Sequence, residues 1–279
     1  MNQPDIYSRN NTGQMTVTSQ LLDRYLDPKT WIDGEAILEI GTGDGQYTVE
    51  KFLPQLPDNI RRYVASDTSE EMIDFAKKKY SEKYPKIEFI VLNCQTDDIP
   101  TGLIGQFDHV VSFNVFHWFT NARKAIKNIF SMLKPGGELI ATFCIVHPLH
   151  DIYTNLSKHH KWGVYCHQIC DSRIALSNHP LQMWETIFTE AGFVNEVKFC
   201  DLEINWHCTD FEGFFQALDS VYSKIPDKDK KAYLNDYFEE VERGKAFTIT
   251  RDEKTGKREG IFRSDIVFVQ TSKPSERVL

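Results

Sequence analysis

The chain has 279 residues, 41% of them hydrophobic, enough for one large α/β domain with insertions. A net charge of −8 argues against a surface that tracks phosphates, because nucleic-acid binders gather lysine and arginine into basic faces. A small organic substrate is favoured and no nucleic-acid partner is expected.

The start, Met1-Asn-Gln-Pro-Asp5, has neither a basic nor an apolar leader segment, and no stretch approaches the roughly 20 apolar residues that span a bilayer. The expectation is a cytoplasmic protein without a membrane span. Six cysteines spread over such a chain suit reduced thiols better than a disulfide framework. Cys166, His167 and Cys170, with His159 and His160 nearby, lack a second paired ligand set at zinc spacing, so no metal is expected.

In chain order, a helical N-terminal segment (1–35) precedes an apolar strand over 36–40. That strand runs into a glycine-dense turn, Glu39-Ile-Gly41-Thr-Gly43-Asp44-Gly45. Further apolar runs near 62–66, 87–92, 107–113 and 138–144 alternate with stretches of helical length, which implies parallel βαβ units with ligands at the strands' carboxyl ends. Thr68-Ser69-Glu70-Glu71 offers a capping box to a helix over 70–84, and Lys134-Pro135-Gly136-Gly137 stops the helix that begins near Asn121. Beyond Cys144 come a histidine-rich connection, a helix over 181–191 closed by Gly192 and a strand near 197–208. Aromatic-rich helices over 210–223 and 227–243 follow, then a terminal strand pair flanking the turn Asp252–Gly256.

Glycines at a strand's carboxyl end let the backbone turn tightly and let a ligand lie against bare peptide. An acidic residue about 20 positions on, here Asp67, can grip a ribose diol or cap the following helix. Position 46 is Gln46, so the dinucleotide pattern G-x-G-x-x-G is not met. The pattern E-x-G-x-G-x-G over Glu39, Gly41, Gly43 and Gly45 instead resembles motif I of the class I S-adenosylmethionine-dependent methyltransferases. The resemblance implies a Rossmann-like seven-stranded α/β sheet with helical lid insertions, its last strand antiparallel beside the fifth. It also implies S-adenosyl-L-methionine as cofactor, S-adenosyl-L-homocysteine as product, and a methionyl tail beside the glycines. Glu39 and Asp44 would face its ammonium or position the loop. Asp67 and Thr68 would stand at the ribose, and Asn93 and Cys94 at the adenine, although relatives carry Asp where this chain has Asn93.

Strand 4 delivers Phe113 to Trp118 beside the reacting sulfonium. It lacks the Asn/Asp-Pro-Pro-Tyr/Phe motif of methyltransferases acting on adenine or glutamine nitrogen. Together with Asn11-x-x-Gln14, the Asp67–Met72 segment, His117-Trp118 and Asp151-x-Tyr153, the chain resembles the insect juvenile hormone acid O-methyltransferases along nearly its whole length. On this resemblance it is one methyltransferase domain with an N-terminal cap (1–35), a cofactor-binding core (36–144), lid and substrate insertions (145–245) and a terminal hairpin (246–279).

The resemblance further implies methyl transfer to the carboxylate of farnesoic acid or a juvenile hormone acid. A carboxylic acid is already ionised near neutral pH, so it needs alignment rather than a base. Gln14 and the Trp118 indole are the expected positioning donors; the alternatives are a surface residue and a core aromatic. His117 would orient Trp118 or line the pocket, or serve as base in a small-molecule N-methyltransferase. A non-catalytic S-adenosylmethionine binder is a third reading. Twelve lid aromatics, from Trp162 to Phe238 and including Trp184, Phe188 and Trp206, suit an apolar pocket or ordinary core. The oligomeric state is open, with a homodimer among the alternatives.

Overall fold

The computed structural model describes residues 3–27, 30–166, 173–194, 202–208, 210–244, 247–251, 253 and 258–275, with the side chains of 202–208, 247, 251 and 258–264 left aside. His167, Cys170, residues 197–201 of the expected sixth strand and most of the turn Asp252–Gly256 lie outside the described residues. Cys94, Cys144 and Cys166 are buried. Among the described residues, no helix is long and apolar enough to cross a membrane.

Helices α1 (Pro4–Asn10) and α2 (Thr12–Tyr25) precede a Rossmann-like run: β1 (Ala36–Ile40), β2 (Arg62–Asp67), α3 (Glu70–Tyr80), β3 (Ile87–Val91), β4 (Phe107–Phe113), α4 (Ala122–Met132) and β5 (Leu133–Cys144). The remaining elements are α5 (His150–Ser157), α6 (Gly163–Cys166), α7 (Pro180–Ala191), β6 (Leu202–Cys208), α8 (Phe211–Leu218), α9 (Lys230–Arg243), β7 (Phe247–Arg251) and β8 (Arg258–Ser272). The eight strands form one sheet of order β3-β2-β1-β4-β5-β8-β6, with β7 against β8. The first five run parallel, and β8 runs antiparallel to β5, β6 and β7. This is the expected sheet with one addition. Because Gly260 to Phe262 pair with both β6 and β7, β7 occupies the edge of β8 that β5 takes farther along.

Local chemistry explains the elements. β1 is buried along its whole length, as a central parallel strand covered on both faces must be. α4 buries Ala122, Ala125, Ile126, Ile129 and Met132 at helical spacing, and the Asn121 side chain caps it by accepting from the Lys124 N–H. α7 opens on Pro180 and closes on Gly192 with φ 102°, a left-handed residue that glycine adopts without Cβ strain.

Three details depart from the sequence reading. The N-cap of α3 is Ser69, whose Oγ accepts from the Met72 N–H and donates to Glu71, so the Glu reaches the hydroxyl rather than the backbone of a capping box. Lys134 to Gly137 sit inside β5 rather than in a loop, at an irregular register against β4. The helix after β1 is a short π turn over Thr48–Phe52, ended by the prolines at 54 and 57.

Two apolar clusters cover the sheet's faces, one under α4 and α7 and one under α3 and the π turn. A third, centred on Tyr153, Trp162, Phe215, Tyr233 and Tyr237, builds the lid. Trp184 and Phe188 belong to the sheet core rather than the lid, where they pack with Phe116 and Phe143.

Candidate active site

The three glycines of the turn have φ between 59° and 81°, a region open to glycine at little cost. They serve different ends. A Cβ on Gly41 would stand 2.2 Å from Val115 Cγ2, and one on Gly45 would press on Ala76 and Tyr80 of α3. Gly43 alone has room, covered at 3.6 Å by the Tyr7 ring of α1. Sequence reasoning passed over Tyr7; its signal was an aromatic two turns before Gln14 in the N-terminal cap. Burial and the nearby Asp44 and Asp67 suppress the acidity of its hydroxyl.

Glu39 is buried beneath the turn and accepts from Thr48 Oγ1 at 2.7 Å and Tyr63 Oη at 2.8 Å. Thr48 in turn pairs with Thr42 at 2.7 Å. Of its two expected roles, Glu39 therefore takes that of positioning the loop. Desolvation pushes its pKa up to about 7, against those hydrogen bonds. Asp44 differs: Oδ1 accepts from the Gln46 N–H, while the buried Oδ2 has no partner. A carboxylate oxygen left over at this turn would suit the ammonium of a methionyl tail.

Asp67 accepts from the Gly43 N–H through Oδ2 and the Ser69 N–H through Oδ1, both at 2.9 Å. It thereby ties the glycine turn to the start of α3. Burial raises its pKa. Each oxygen keeps a lone pair, so a ribose diol would share these oxygens with the backbone. Thr68 is exposed at the same edge.

At the end of β3, Asn93 Oδ1 closes a turn by accepting from the Gln95 N–H, leaving its amide NH₂ as the polar edge. The Cys94 side chain is buried, which raises its thiol pKa to about 12, so the group this residue could offer an adenine is its backbone N–H. Phe113, expected at the cofactor, has its ring wedged between Tyr47 and Phe52 in the sheet core. These residues fit the class I cofactor where the orphaned Asp44 oxygen, Asp67 and Gly43 beneath Tyr7 converge.

The acceptor end is built where β4 and β5 finish. Asn114 takes φ 60°, a conformation that asparagine tolerates better than other residues with a Cβ. Its side chain donates to Thr18 of α2 at 2.8 Å, fixing α2, and with it Gln14, over the strand end. Gln14, His117 and Trp118 then line one small cavity with Asn114, Cys144, His147, Phe214 and Leu218. Its free space is about 20 Å³, room for about one water. Larger hollows, of about 690 Å³ beside α9 and 480 Å³ beside the α3–β3 turn, lie away from these strand ends.

The polar groups of this cavity have few protein partners. Gln14 Oε1 is buried without a hydrogen bond. The Cys144 N–H donates to His117 Nδ1 at 3.1 Å, which puts the proton of the neutral ring on Nε2. Burial lowers the His117 pKa to about 3, so this ring is a neutral donor and a poor proton acceptor. Trp118 stacks edge-on to His147, centroids 3.8 Å apart. Sequence reasoning noted His147 only as part of a histidine-rich connection and missed Asn114.

Comparison with known proteins gives the family and the fold. Residues 37–137 match a methyltransferase-domain family. The chain is 31% identical to a juvenile hormone acid O-methyltransferase of Drosophila melanogaster over 81% of this chain and 76% of that protein. It is also 31% identical to one of Bombyx mori, over 58% of this chain and 57% of that protein. In fold it is similar to the YcgJ protein of Bacillus subtilis, with TM-score 0.56, 14% identity and coverage of 94% and 98% of the two chains. It is similar also to a phosphoethanolamine N-methyltransferase of Haemonchus contortus solved with S-adenosyl-L-methionine, with TM-score 0.52, 14% identity and coverage of 99% and 60%. The chain belongs to the family of the juvenile hormone acid O-methyltransferases, among the class I methyltransferases that use S-adenosyl-L-methionine.

Proposed function

We propose that this methyltransferase converts the carboxylate of an isoprenoid acid, farnesoic acid or a juvenile hormone acid, to its methyl ester in juvenile hormone biosynthesis. The observation that carries the reading is the hydrogen bond that the Cys144 N–H donates to His117 Nδ1. A base for an amine or alcohol needs an unprotonated nitrogen facing the acceptor and a pKa near the working pH. His117 spends Nδ1 on the Cys144 N–H and is held neutral far below its usual range. A carboxylate acceptor asks for donors instead, and Gln14, Trp118 and His117 supply them at one cavity.

S-adenosyl-L-methionine supplies an electrophilic methyl group, and the acid's own charge supplies the nucleophile. The protein's share is to hold one carboxylate oxygen through the Gln14 amide and the Trp118 N–H, leave the other free, and exclude water. Phe214, Leu218, Leu149 and Pro148 form the apolar side of the cavity along which an isoprene chain would run. With about 20 Å³ free, these residues must part to admit the chain.

The test incubates the protein with labelled S-adenosyl-L-methionine and farnesoic acid, juvenile hormone acid, palmitate or histamine. Label in a methyl ester with the isoprenoid acids alone is the expected result. Label on histamine overturns the reading, and cofactor binding without turnover on any acceptor favours a non-catalytic binder.

A further inference from the structure

We propose that His147, on the loop after β5, is a further binding residue for the acceptor carboxylate beside Gln14, Trp118 and His117, and that with His117 it forms a pair of neutral N–H donors locked by backbone amides, selecting an anion over an amine. The proposal rests on the reading above that the acceptor is a carboxylate and adds a residue and a selection rule to it.

The lock is the same in both rings. The Leu149 N–H donates to His147 Nδ1 at 3.0 Å, as the Cys144 N–H does to His117 Nδ1 at 3.1 Å. A nitrogen that accepts from an amide carries no proton, so the neutral ring has its hydrogen on Nε2. One amide is at the last residue of β5 and the other in the loop that follows; neither can reverse roles, so the tautomer is set by the fold. Neither Nε2 has a partner among the described residues, yet His147 is only 9% exposed and both rings line the Gln14–Trp118 cavity. Both Nε2 atoms are therefore available to a ligand that accepts a hydrogen bond in this cavity.

The surroundings keep the pair uncharged. The titratable groups around His147 are His117 from the end of β4, His150 and Tyr153 from α5 and, lining the same cavity, Cys144 at the end of β5. Burial and the two neighbouring histidines hold the His147 pKa well below its usual range. The Tyr153 hydroxyl faces Asp219 instead. His147 and His117 have centroids 5.1 Å apart, close enough for both donors to serve one carboxylate. An ammonium, which has only donors to offer, meets N–H against N–H at these two rings; Gln14 Oε1 is the acceptor it would have to use instead.

The test uses the full chain saturated with S-adenosylhomocysteine, so that binding is read without turnover. Farnesoic acid, farnesol and farnesylamine are titrated calorimetrically into wild type, His147→Gln and His147→Leu. Glutamine keeps an N–H near Nε2, and both variants lose the Leu149 contact equally. We expect the acid to bind wild type and His147→Gln within about threefold of each other and His147→Leu at least tenfold more weakly, with farnesol unchanged. Equal loss in both variants, or equal loss for acid and alcohol, overturns the proposal. So does long-range ¹H–¹⁵N NMR of the wild type showing either ring protonated on Nδ1, a readout that needs no variant to fold. Acid that binds in this pattern but is never methylated would leave the donor pair standing and remove the catalytic reading instead.

Discussion

The two halves of the site, cradle and acceptor cavity, handle polar groups in opposite ways. In the cradle, Glu39 and Asp67 are engaged by Thr48, Tyr63 and two backbone amides, so they build the loop before any ligand arrives. In the acceptor cavity, the Nε2 atoms of His117 and His147 have no protein partner among the described residues, and Gln14 Oε1 is an orphaned acceptor that only a donor could satisfy. Satisfied polar groups are architecture, and unsatisfied ones at a strand end mark where a ligand supplies the missing bond. Asp44, with one oxygen engaged and one orphaned, is the cradle residue that shares the habit of the cavity.

The largest effect should come from the cradle. Gly41→Ala adds a Cβ 2.2 Å from Val115 Cγ2 at φ 81°, so either the turn or the end of β4 must move. Cofactor affinity should fall at least about 100-fold, as expected when backbone displacement misplaces a preorganised site. Gly34→Ala is the control: φ is 82° but nothing lies within 4 Å. It should cost only about 1–2 kcal/mol of stability and leave cofactor affinity intact. Calorimetric titration and melting curves of the two variants separate strain from collision. Equal loss of cofactor affinity in both would show that the φ, not the close approach of Val115, is what Gly41 provides.

The acceptor cavity should respond more mildly and in a different parameter. Trp118→Phe removes the indole N–H while keeping an aromatic ring against His147. One hydrogen bond to a charged group contributes about 1.5–3 kcal/mol, so kcat/KM for the isoprenoid acid should drop about 10- to 100-fold while the cofactor Kd holds within twofold. Gln14→Glu should be more damaging than Gln14→Leu, because it sets carboxylate against carboxylate. If leucine and glutamate are equivalent at position 14, this side chain does not face the acceptor.

How much of this was legible in the sequence follows the same division. Strand boundaries over 36–40 and 107–113 are those the apolar runs gave, because a doubly covered parallel strand writes itself as a continuous hydrophobic string. The glycine spacing announced the cradle because left-handed φ leaves few alternatives to glycine. The rest depends on contacts that sequence spacing does not encode. Phe113 looked like a cofactor contact from its place at the end of β4, but the side of the sheet it faces sends its ring between Tyr47 and Phe52. Asn93 gives its carbonyl oxygen to a local turn, the ordinary fate of asparagine in loops. His147 and Tyr7 reach the site only because the loop after β5 and the first helix fold back over it. In the lid, Asp219 reads as one acidic residue among many, yet it is buried with Tyr153 and Tyr233 on one oxygen and none on the other, a network assembled from residues 66 and 14 positions away.

An effect read in stability rather than in activity sharpens the claim that the cradle stands on its own. The Glu39 pKa is raised from 4.5 to about 7 in the fold. The folded state therefore holds the proton more tightly than the unfolded chain, and the stability this gives is full below about pH 4.5. It drains away as the pH climbs through 7, where the folded carboxyl must ionise inside the protein. Glu39→Gln keeps an acceptor for Thr48 or Tyr63 and has no proton to lose. The variant should melt below wild type at pH 5, and the gap should narrow by roughly 5–10 °C by pH 8, given that the pKa difference is worth about 2.5 kcal/mol over this range and that about 1 kcal/mol moves Tm by 2–4 °C in a protein this size. Melting curves of the cofactor-free protein at half-unit pH steps read the difference directly. A gap that does not change with pH would mean that Glu39 is ionised throughout, in which case Thr48 and Tyr63 anchor a buried charge and the loop is held by electrostatics rather than by neutral hydrogen bonds.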